Sequence, residues 1–591
     1  MSGSALEVRE GSARYIVRGE VPLVWGFELL TKSQGGVDSL RELILSLAVR
    51  GLLVRQSADD APGSAIVRAM RQTKAAVSDA RMTKRDERLA SFADDDLPYG
   101  TPTGWAWVRL GELLTKFGAG STPLGGREVY TTAGVKFLRS QNVWNHGLAL
   151  GGVAFIPTAV HEKMGGTKVF AGDLLFNITG ASIGRCALVP ESFDEGNVSQ
   201  HVTILRTALP SIRPFLHLVL ISARVQQTVR DVQVGVSREG LSIAKLGQFV
   251  VPLPPLAEQH RIVARVEKLM KLCDALEQSG RLADEQHARL TSTLFDALAA
   301  SESAHALAEN WQRIAEHFDL LLDRPEAIAA LEQTILQLAV RGSLVAQITG
   351  EGSSSDALGA IAKEKERLMA SGSIKRAKPS IPVVEAEQPF AVPLGWKWVR
   401  VADICSLVTD GEHATPRRCD DITAIPLVTA KNVRSEVMNY AVTDFVPRDV
   451  AAKCWLRCKP ELGDILMVSV GATLGRLCVL RDAFEMVLVR SVTLLRPAHS
   501  GAYADYLALH LMSYESQREI WSEVKQSAQP GLYLAKSAGL KIALPPLAEQ
   551  HRIVARVEEL RLLCTQLRER LSAARRTQSQ LADALVAEVL A

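Results

Sequence analysis

The chain repeats itself once, at an interval of 291 residues. The fifteen residues LPPLAEQHRIVARVE occur at Leu253–Glu267 and again at Leu544–Glu558. Three further motifs recur at the same interval: Gly-Trp-x-Trp-Val-Arg from Gly104 and Gly395, Leu-Ala-Val-Arg-Gly from Leu47 and Leu338, and Gly-Asp with Gly-Arg at Gly172 and Gly184 and at Gly463 and Gly475. Because solenoids and propellers repeat every ~20–50 residues, this interval predicts a duplicated pair of domains.

The two copies diverge between the shared motifs. The stretches 129–166 and 420–459 have little in common beyond Asn142-Val143 and Asn432-Val433, which lie one residue out of register. Two copies that share the motifs but differ in the stretches between them suggest two domains that recognise two different ligands.

Each copy shows the same order of segments, with short strand-like runs such as Leu174–Ile178, Cys186–Val189 and Val202–Leu205 between Gly, Asn and Ser clusters. The predicted fold class is mixed α/β (α+β). The predicted segments are a tail (1–36), a helical piece ended by Gly51 (37–56), a linker (57–100), a first body (101–252), a central helical region (253–347), a second linker (348–391), a second body (392–543) and a C-terminal long helix (544–591).

A long helix is predicted after each Pro-Pro pair, because proline is well tolerated at a helix start. Apolar residues then follow at 4-3 spacing, as in a coiled coil, from Ile262 through Cys273 and Leu290 to Leu294 and from Ile553 through Cys564 and Leu581 to Leu585. A helix of ~44 residues would be ~66 Å long. We expect the two helices to pack on each other, and the N-terminal piece to pack near the C-terminal helix.

Composition narrows the class of protein. The 591 residues carry a formal net charge of +3, and 47% of them are hydrophobic, which excludes global disorder and a histone-like binder but not a DNA binder with local charge. Eight cysteines are too few for a disulfide scaffold. With no signal peptide and no run of about 18 apolar residues, we expect a cytoplasmic protein without membrane contact.

Motifs for catalysis are missing from the sequence. An adenine methyltransferase needs an Asn/Asp-Pro-Pro-Tyr/Phe loop for the flipped base, and here both Pro-Pro pairs lie in Leu-Pro-Pro-Leu. Neither a GxxxxGK[ST] phosphate loop nor a His-Glu-x-x-His metal motif occurs. We therefore expect a non-catalytic chain with no cofactor and no metal of its own.

The repeated motifs resemble, in their sequence and in their order, those of the specificity subunit of type I restriction-modification systems, over roughly residues 37–591. The resemblance implies two target recognition domains in a pseudo-twofold duplication, held apart by long antiparallel helices, each reading half of a split site in double-stranded DNA. It also implies docking of two methyltransferase subunits, which carry S-adenosylmethionine and methylate adenine at N6. Restriction subunits, which use ATP and Mg, would add translocation and cleavage.

Base reading favours Arg, Lys, Asn, Gln, Ser and Thr side chains in loops, because these match the donors and acceptors of base edges. Residues 101–252 hold 14 basic and 9 acidic side chains, and residues 392–543 hold 18 and 16. The candidates in the first body are Arg139, Gln141, Asn142, Asn177, Thr179, Ser182, Asn197, Gln200, His201, Ser237 and Arg238. Those in the second are Lys431, Asn432, Arg434, Ser469, Thr473, Arg490, Ser491, Gln526 and Gln529. Turn capping is the alternative role for each.

The joint between body and long helix is identical in both copies and suits two identical partners. The candidate partner interface is Glu258, Gln259, His260 and Arg261 with Glu549, Gln550, His551 and Arg552; plain helix initiation is the alternative. Two other functions stay open: a structural coiled-coil tether with two protein-binding heads, and a stand-alone restriction enzyme, which the missing motifs disfavour.

Overall fold

The computed structural model describes residues 7–10, 13–16, 29–31, 33, 35–77, 97–234, 240–375, 379–441, 443–482, 484–523 and 531–590. The chain divides into two compact units, the first with residues 1–282 and 575–591 and the second with residues 283–574. Each unit therefore contains the first part of one long helix and the last part of the other.

Unit 1 starts with a two-stranded hairpin and two helices: β1 (Glu7–Glu10), β2 (Ala13–Ile16), α1 (Gly36–Arg50) and α2 (Gly63–Val77). Helix α2 lies inside the segment that the sequence predicts to be a linker. The linker prediction is wrong here. The sequence of α2 contains many polar and charged residues, but the helix also has an apolar face, on which Ile66 and Met70 are buried.

Helix α1 ends where the sequence predicts. Gly51 has φ +76°, in the left-handed region, and the N–H groups of Gly51 and Leu52 donate to the carbonyls of Ala48 (3.3 Å) and Leu47 (2.9 Å). This is a Schellman motif. A Cβ on Gly51 would lie 2.6 Å from Cγ of Pro102, so both the backbone and the available space require glycine.

The first body follows. Its strands are β3 (Ala106–Arg109), β4 (Leu114–Ala119), β5 (Val135–Leu138), β6 (Val143–Trp144), β7 (Gly147–Leu148), β8 (Ala154–Ile156), β9 (Lys168–Val169), β10 (Leu174–Asn177), β11 (Cys186–Leu188), β12 (Gly196–Val198), β13 (Val202–Thr207) and β14 (Val250–Leu253). Its helices are α3 (Thr158–Lys163), α4 (Arg213–Ile221), α5 (Ala223–Val234) and α6 (Ile243–Gly247). The three strands predicted from the sequence are confirmed as β10, β11 and β13.

Two four-stranded sheets form this body, in the orders β11-β10-β13-β4 and β8-β5-β12-β9. Strand β10 is buried at all four positions, which explains its unbroken apolar run. A separate antiparallel pair, β3 with β14, joins the two ends of the body. The Gly-Trp-x-Trp-Val-Arg motif therefore encodes the entrance strand of the body, paired with its exit strand.

The repeated Gly-Asp motif places a buried acid against an arginine. Asp173, 1% exposed, accepts from Arg206 at 2.7 Å, and its copy Asp464, 0% exposed, accepts from Arg496 at 2.8 Å. A buried charge must be paired, so this motif belongs to the frame of each body.

Helix α7 (Leu256–Ala299) has 44 residues, as the sequence predicts. Its early apolar residues Ile262, Val266 and Cys273 share one core with Leu40 and Ile44 of α1. The helix that precedes the body thus packs against the start of the helix that follows it.

Unit 2 repeats this plan. Its helices are α8 (Ala304–Glu316), α9 (Phe318–Leu321), α10 (Pro325–Val340), α11 (Ser354–Ala370), α12 (Val401–Ile404), α13 (Arg448–Trp455), α14 (Ala504–Met512), α15 (Tyr514–Ser522), α16 (Leu534–Gly539) and α17 (Leu547–Leu590). Its strands are β15 (Lys397–Arg400), β16 (Cys405–Asp410), β17 (Ile425–Val428), β18 (Asp444–Val446), β19 (Ile465–Val468), β20 (Leu477–Val479), β21 (Val487–Leu488), β22 (Val492–Pro497) and β23 (Lys541–Leu544).

The second body has sheets in the orders β16-β22-β19-β20 and β18-β17-β21, with β15 paired to β23. Helix α11 again occupies a predicted linker. Its start carries a capping box, in which the N–H of Ser353 donates to Asp356 Oδ2 at 2.7 Å.

The apolar stripe of each long helix is buried only in part. Ile553, Val557 and Cys564 of α17 pack in one core with α10. Leu290 and Leu581, which the 4-3 spacing predicts to be in the seam, are 51% and 55% exposed. The 4-3 stripe is therefore interrupted at Leu290 and at Leu581, whereas Phe295 and Leu298 near the end of α7 are buried in one core with α10.

Candidate nucleic-acid interface

Three loops of the first body meet at one end of its two sheets. The side-chain amide of Asn177 donates to the carbonyl of Ser140 (2.9 Å) and to Oγ of Ser182 (3.1 Å). The N–H of Ile178 donates to the carbonyl of His201 (3.0 Å). We call the surface formed by residues 139–142, 178–185 and 199–201 the first loop edge.

Five predicted DNA-reading residues reach the surface of the first loop edge. Gln141, Gln200 and His201 are exposed, and Thr179 and Ser182 are half-buried. The Thr179 hydroxyl lies 2.6 Å from Nδ1 of His201, which holds this imidazole at the edge. A DNA duplex could reach the polar atoms of these side chains without any change in the fold of the body.

Three predicted asparagines are not available for base contact, because they are at most 2% exposed. Asn142 accepts from the N–H of Arg139 (3.0 Å) and donates to the carbonyl of Ala149 (2.9 Å). Asn197 donates to Thr167 Oγ1 (3.0 Å), and Asn177 makes the loop contacts given above. Their amides stabilise loops, so the prediction that they read bases is wrong.

Two arginines of this edge differ in environment. Arg139 is half-buried, and its Nε atom is buried without an acceptor among the described residues. Arg185, which follows Gly184 in the repeated Gly-Arg motif, stacks on the indole ring of Trp144, with Cζ 3.6 Å from the ring centroid. Composition alone gave no reason to single out Trp144.

The second body has an equivalent second loop edge, formed by residues 411–413, 429–434, 469–475 and 490–491. The N–H of Ser469 donates to the carbonyl of Ser491 (2.9 Å), and the N–H of Arg490 donates to the carbonyl of Glu412 (2.9 Å). Lys431 is exposed at the same edge.

The predicted residues of the second loop edge divide as in the first. Arg490 is exposed like Lys431, and Arg434, Thr473 and Ser491 are half-buried. Asn432, 1% exposed, accepts from the N–H of Thr429 (2.9 Å) and donates to the carbonyl of Asn439 (3.0 Å).

Ser469 is 2% exposed, and its Oγ lies 3.5 Å from the carbonyl of Arg490. Asn432 and Ser469 are therefore also wrong as base readers. Four further candidates, Ser237, Arg238, Gln526 and Gln529, lie outside the described residues.

The shared joint forms an internal clamp in unit 1. Glu258, 1% exposed, accepts from Nε2 of Gln56 (2.6 Å) and Nε1 of Trp105 (3.1 Å). Arg261 donates to Asp60 at 2.6 Å. Gln259, 0% exposed, donates to the carbonyl of Pro254.

Unit 2 contains the same clamp. Glu549, 2% exposed, accepts from Nε2 of Gln347 (2.7 Å) and Nε1 of Trp396 (2.9 Å). Burial raises the pKa of the Glu549 carboxyl, against the lowering effect of the hydrogen bonds from Trp396 and Gln347. Arg552 pairs with Glu351 at 2.6 Å.

Most of the predicted partner residues thus serve the clamp. Glu258, Gln259, Glu549 and Gln550 are buried within their units, so they are wrong as contact residues for a partner, because no partner could reach them. Arg261 and Arg552 are half-buried and ion-paired. His260 and His551 remain exposed.

The described residues contain no group of three or more His, Cys, Asp or Glu side chains that could hold a metal ion. Within the same residues, no helix is both long and apolar enough to cross a membrane.

Two matches to one family model cover residues 102–284 and 393–574, and that family is the type I restriction modification DNA specificity domain. The chain belongs to this family. It is 30% identical to the type I restriction enzyme EcoEI specificity subunit of Escherichia coli, over 95% of this chain and 97% of that one. It is 28% identical to the EcoAI specificity subunit of the same organism, over 93% of both chains. A crystal structure of the HsdS subunit from Thermoanaerobacter tengcongensis matches 83% of this chain and 98% of its own, at 19% identity and a TM-score of 0.37.

Proposed function

We propose that this chain is the DNA-sequence specificity subunit of a type I restriction-modification complex, and that each body reads one half of a bipartite DNA site. One observation carries the proposal: equivalent exposed positions on the two loop edges hold different side chains, although the two bodies share the frame built from the repeated motifs.

The equivalence of these positions follows from the frame. Asn142 and Asn432 make matching amide contacts, and β13 and β22 begin with matching Val-Thr pairs. Gln141 therefore corresponds to Lys431, and Gln200 to Arg490. In the major groove Gln pairs with adenine, whereas Arg and Lys pair with guanine. Such differences suit two half-sites of unlike sequence.

The proposal assigns catalysis to partner subunits. This chain lacks the base-flipping loop of an adenine methyltransferase and a phosphate-binding loop. S-adenosylmethionine would therefore be bound by methyltransferase subunits, and ATP with Mg by restriction subunits. The role of this chain is to choose the site that is methylated at adenine N6 or restricted.

Docking of two methyltransferase subunits is supported by a repeated surface. Within the fifteen identical residues, the same five positions are exposed in both copies: Ala257, His260, Ala264, Arg265 and Glu267 in α7, and Ala548, His551, Ala555, Arg556 and Glu558 in α17. The clamp explains the identity of the buried positions but not that of the exposed ones. Two identical exposed surfaces suit two copies of one partner.

Modification-sensitive long-read sequencing of host DNA, with and without this gene, tests the proposal. We expect N6-methyladenine at a split motif to disappear on deletion and to return with the complementing gene. An unchanged methylation pattern, in a host that expresses the neighbouring methyltransferase, would contradict the proposal and favour a tether with two protein-binding heads.

A further inference from the structure

We propose that Arg185 reads a guanine in the half-site of the first body, with the ring of Trp144 as the platform that orients its guanidinium group. This inference rests on the proposed function and names one contact within it. The observation behind it is the stack of Arg185 on Trp144 at the first loop edge: the arginine recurs in the second body as Arg476, but the tryptophan does not.

Trp144 is placed rigidly although it is exposed. It lies in a short hairpin of β6 and β7, and 36% of the residue is accessible to solvent. Its Nε1 donates to the carbonyl of Gln141 at 2.9 Å. Beside it, the side chain of Asn145 accepts from the N–H of Cys186 at 3.1 Å. The hairpin is thereby tied to the residue that follows Arg185.

Arg185 stacks on this ring with its donors unused. Its Cζ lies 3.6 Å from the centroid of the indole, close enough for a cation–π contact. None of the described residues accepts a hydrogen bond from its guanidinium group or forms an ion pair with it. A stacked guanidinium keeps its N–H groups in one plane as a rigid fork.

Guanine is the base that this fork fits. Its O6 and N7 acceptors lie side by side in the major groove, and bidentate contact from arginine is the commonest specific contact there. Because the ring already restricts the side chain, less conformational freedom is lost on binding. The exposed Gln141 lies beside the pair, so a duplex at this edge would meet both.

The second body lacks this device. Arg476 occupies the position equivalent to Arg185 and is exposed, but the position equivalent to Trp144 holds Arg434. The tip of that hairpin is instead joined to α17 by an ion pair between Glu436 and Arg561. The pair is thus private to one half, as a determinant of one half-site should be.

The test compares the methylated motif of hosts that carry the wild-type chain, Arg185→Lys, Trp144→Ala or Arg476→Lys, each with the partner subunits. Lysine keeps the charge but loses the planar fork. We expect Arg185→Lys to relax the requirement for guanine at one base pair of one half-site, with discrimination falling by about tenfold or more, and every other position unchanged.

Trp144→Ala should relax the same base pair, and Arg476→Lys should leave it intact. An equal loss of methylation at all sites in Arg185→Lys would identify a phosphate contact and overturn the inference, as would an unaltered motif. In both cases the wild-type motif would still depend on this chain, and the proposed function would stand. Loss of that dependence in the wild type would overturn both.

Discussion

Replacing Glu549 by alanine should weaken unit 2 by removing the acceptor at the centre of its clamp. Two hydrogen-bond donors, Gln347 and Trp396, lose their acceptor, but they differ in their access to water. Gln347 is exposed and can turn to water, whereas Trp396 is 5% exposed and its indole N–H cannot. One unsatisfied buried donor costs about 1–3 kcal/mol, which is a factor of about 5–150 in the opening equilibrium.

Hydrogen exchange of the full-length protein, followed by mass spectrometry, measures this loss separately in each unit. Peptides from β15 and β23 should exchange faster in Glu549→Ala, while peptides from unit 1 stay unchanged. Glu558→Ala is the matched control, because this residue is exposed in the same helix and should change stability by less than about 0.5 kcal/mol. Equal exchange in the two variants would refute the role of the clamp.

Three further predictions concern stability and are checked by urea unfolding of the full chain. Glu549→Gln should flatten the pH dependence of the stability of unit 2. Burial raises the pKa of this carboxyl above its usual 4.5, so the native state binds the proton more tightly than the unfolded state does. The wild type therefore gains stability as pH falls towards 4.5, and the variant should not. Gly51→Ala should cost at least about 1–2 kcal/mol, whereas Gly280→Ala, with open space around an ordinary helical site, should stabilise by up to about 1 kcal/mol. Asp464→Asn should cost about 1–3 kcal/mol, because Arg496 loses its charged, buried acceptor and is left with the exposed Glu461 as an ion-pair partner; equal stability of the variant and the wild type would count against the pairing.

The frame was predictable from sequence because its signals are local. A glycine after a helical apolar face ends α1 at Gly51, and a Pro-Pro pair begins each long helix. Helices α2 and α11 were missed, since their apolar faces are narrow and lie among charged residues. The exposure of Leu290 and Leu581 was also missed, because the burial of each part of the stripe depends on which helix packs against it.

The loop edges were predictable in position but not in detail. Residue type shows that Asn142 can bind a base, but not that its amide turns inward to support a loop. Its presence in both copies, as Asn432, was the available signal, because the two side chains make the same internal amide contact to the loop backbone. Trp144 was missed because its value lies in the contact with Arg185, which only the folded hairpin creates.

In the proposed function, each body alone sets the sequence of one half-site. Because the entrance strand, the exit strand and the clamp are common to both bodies, we expect residues 101–252 to be replaceable by a second copy of residues 392–543. Long-read sequencing of methylated DNA from a host that carries this chain should reveal a motif with two copies of one half-site. A motif that keeps the original, unlike halves would show that the bodies do not each read one half-site.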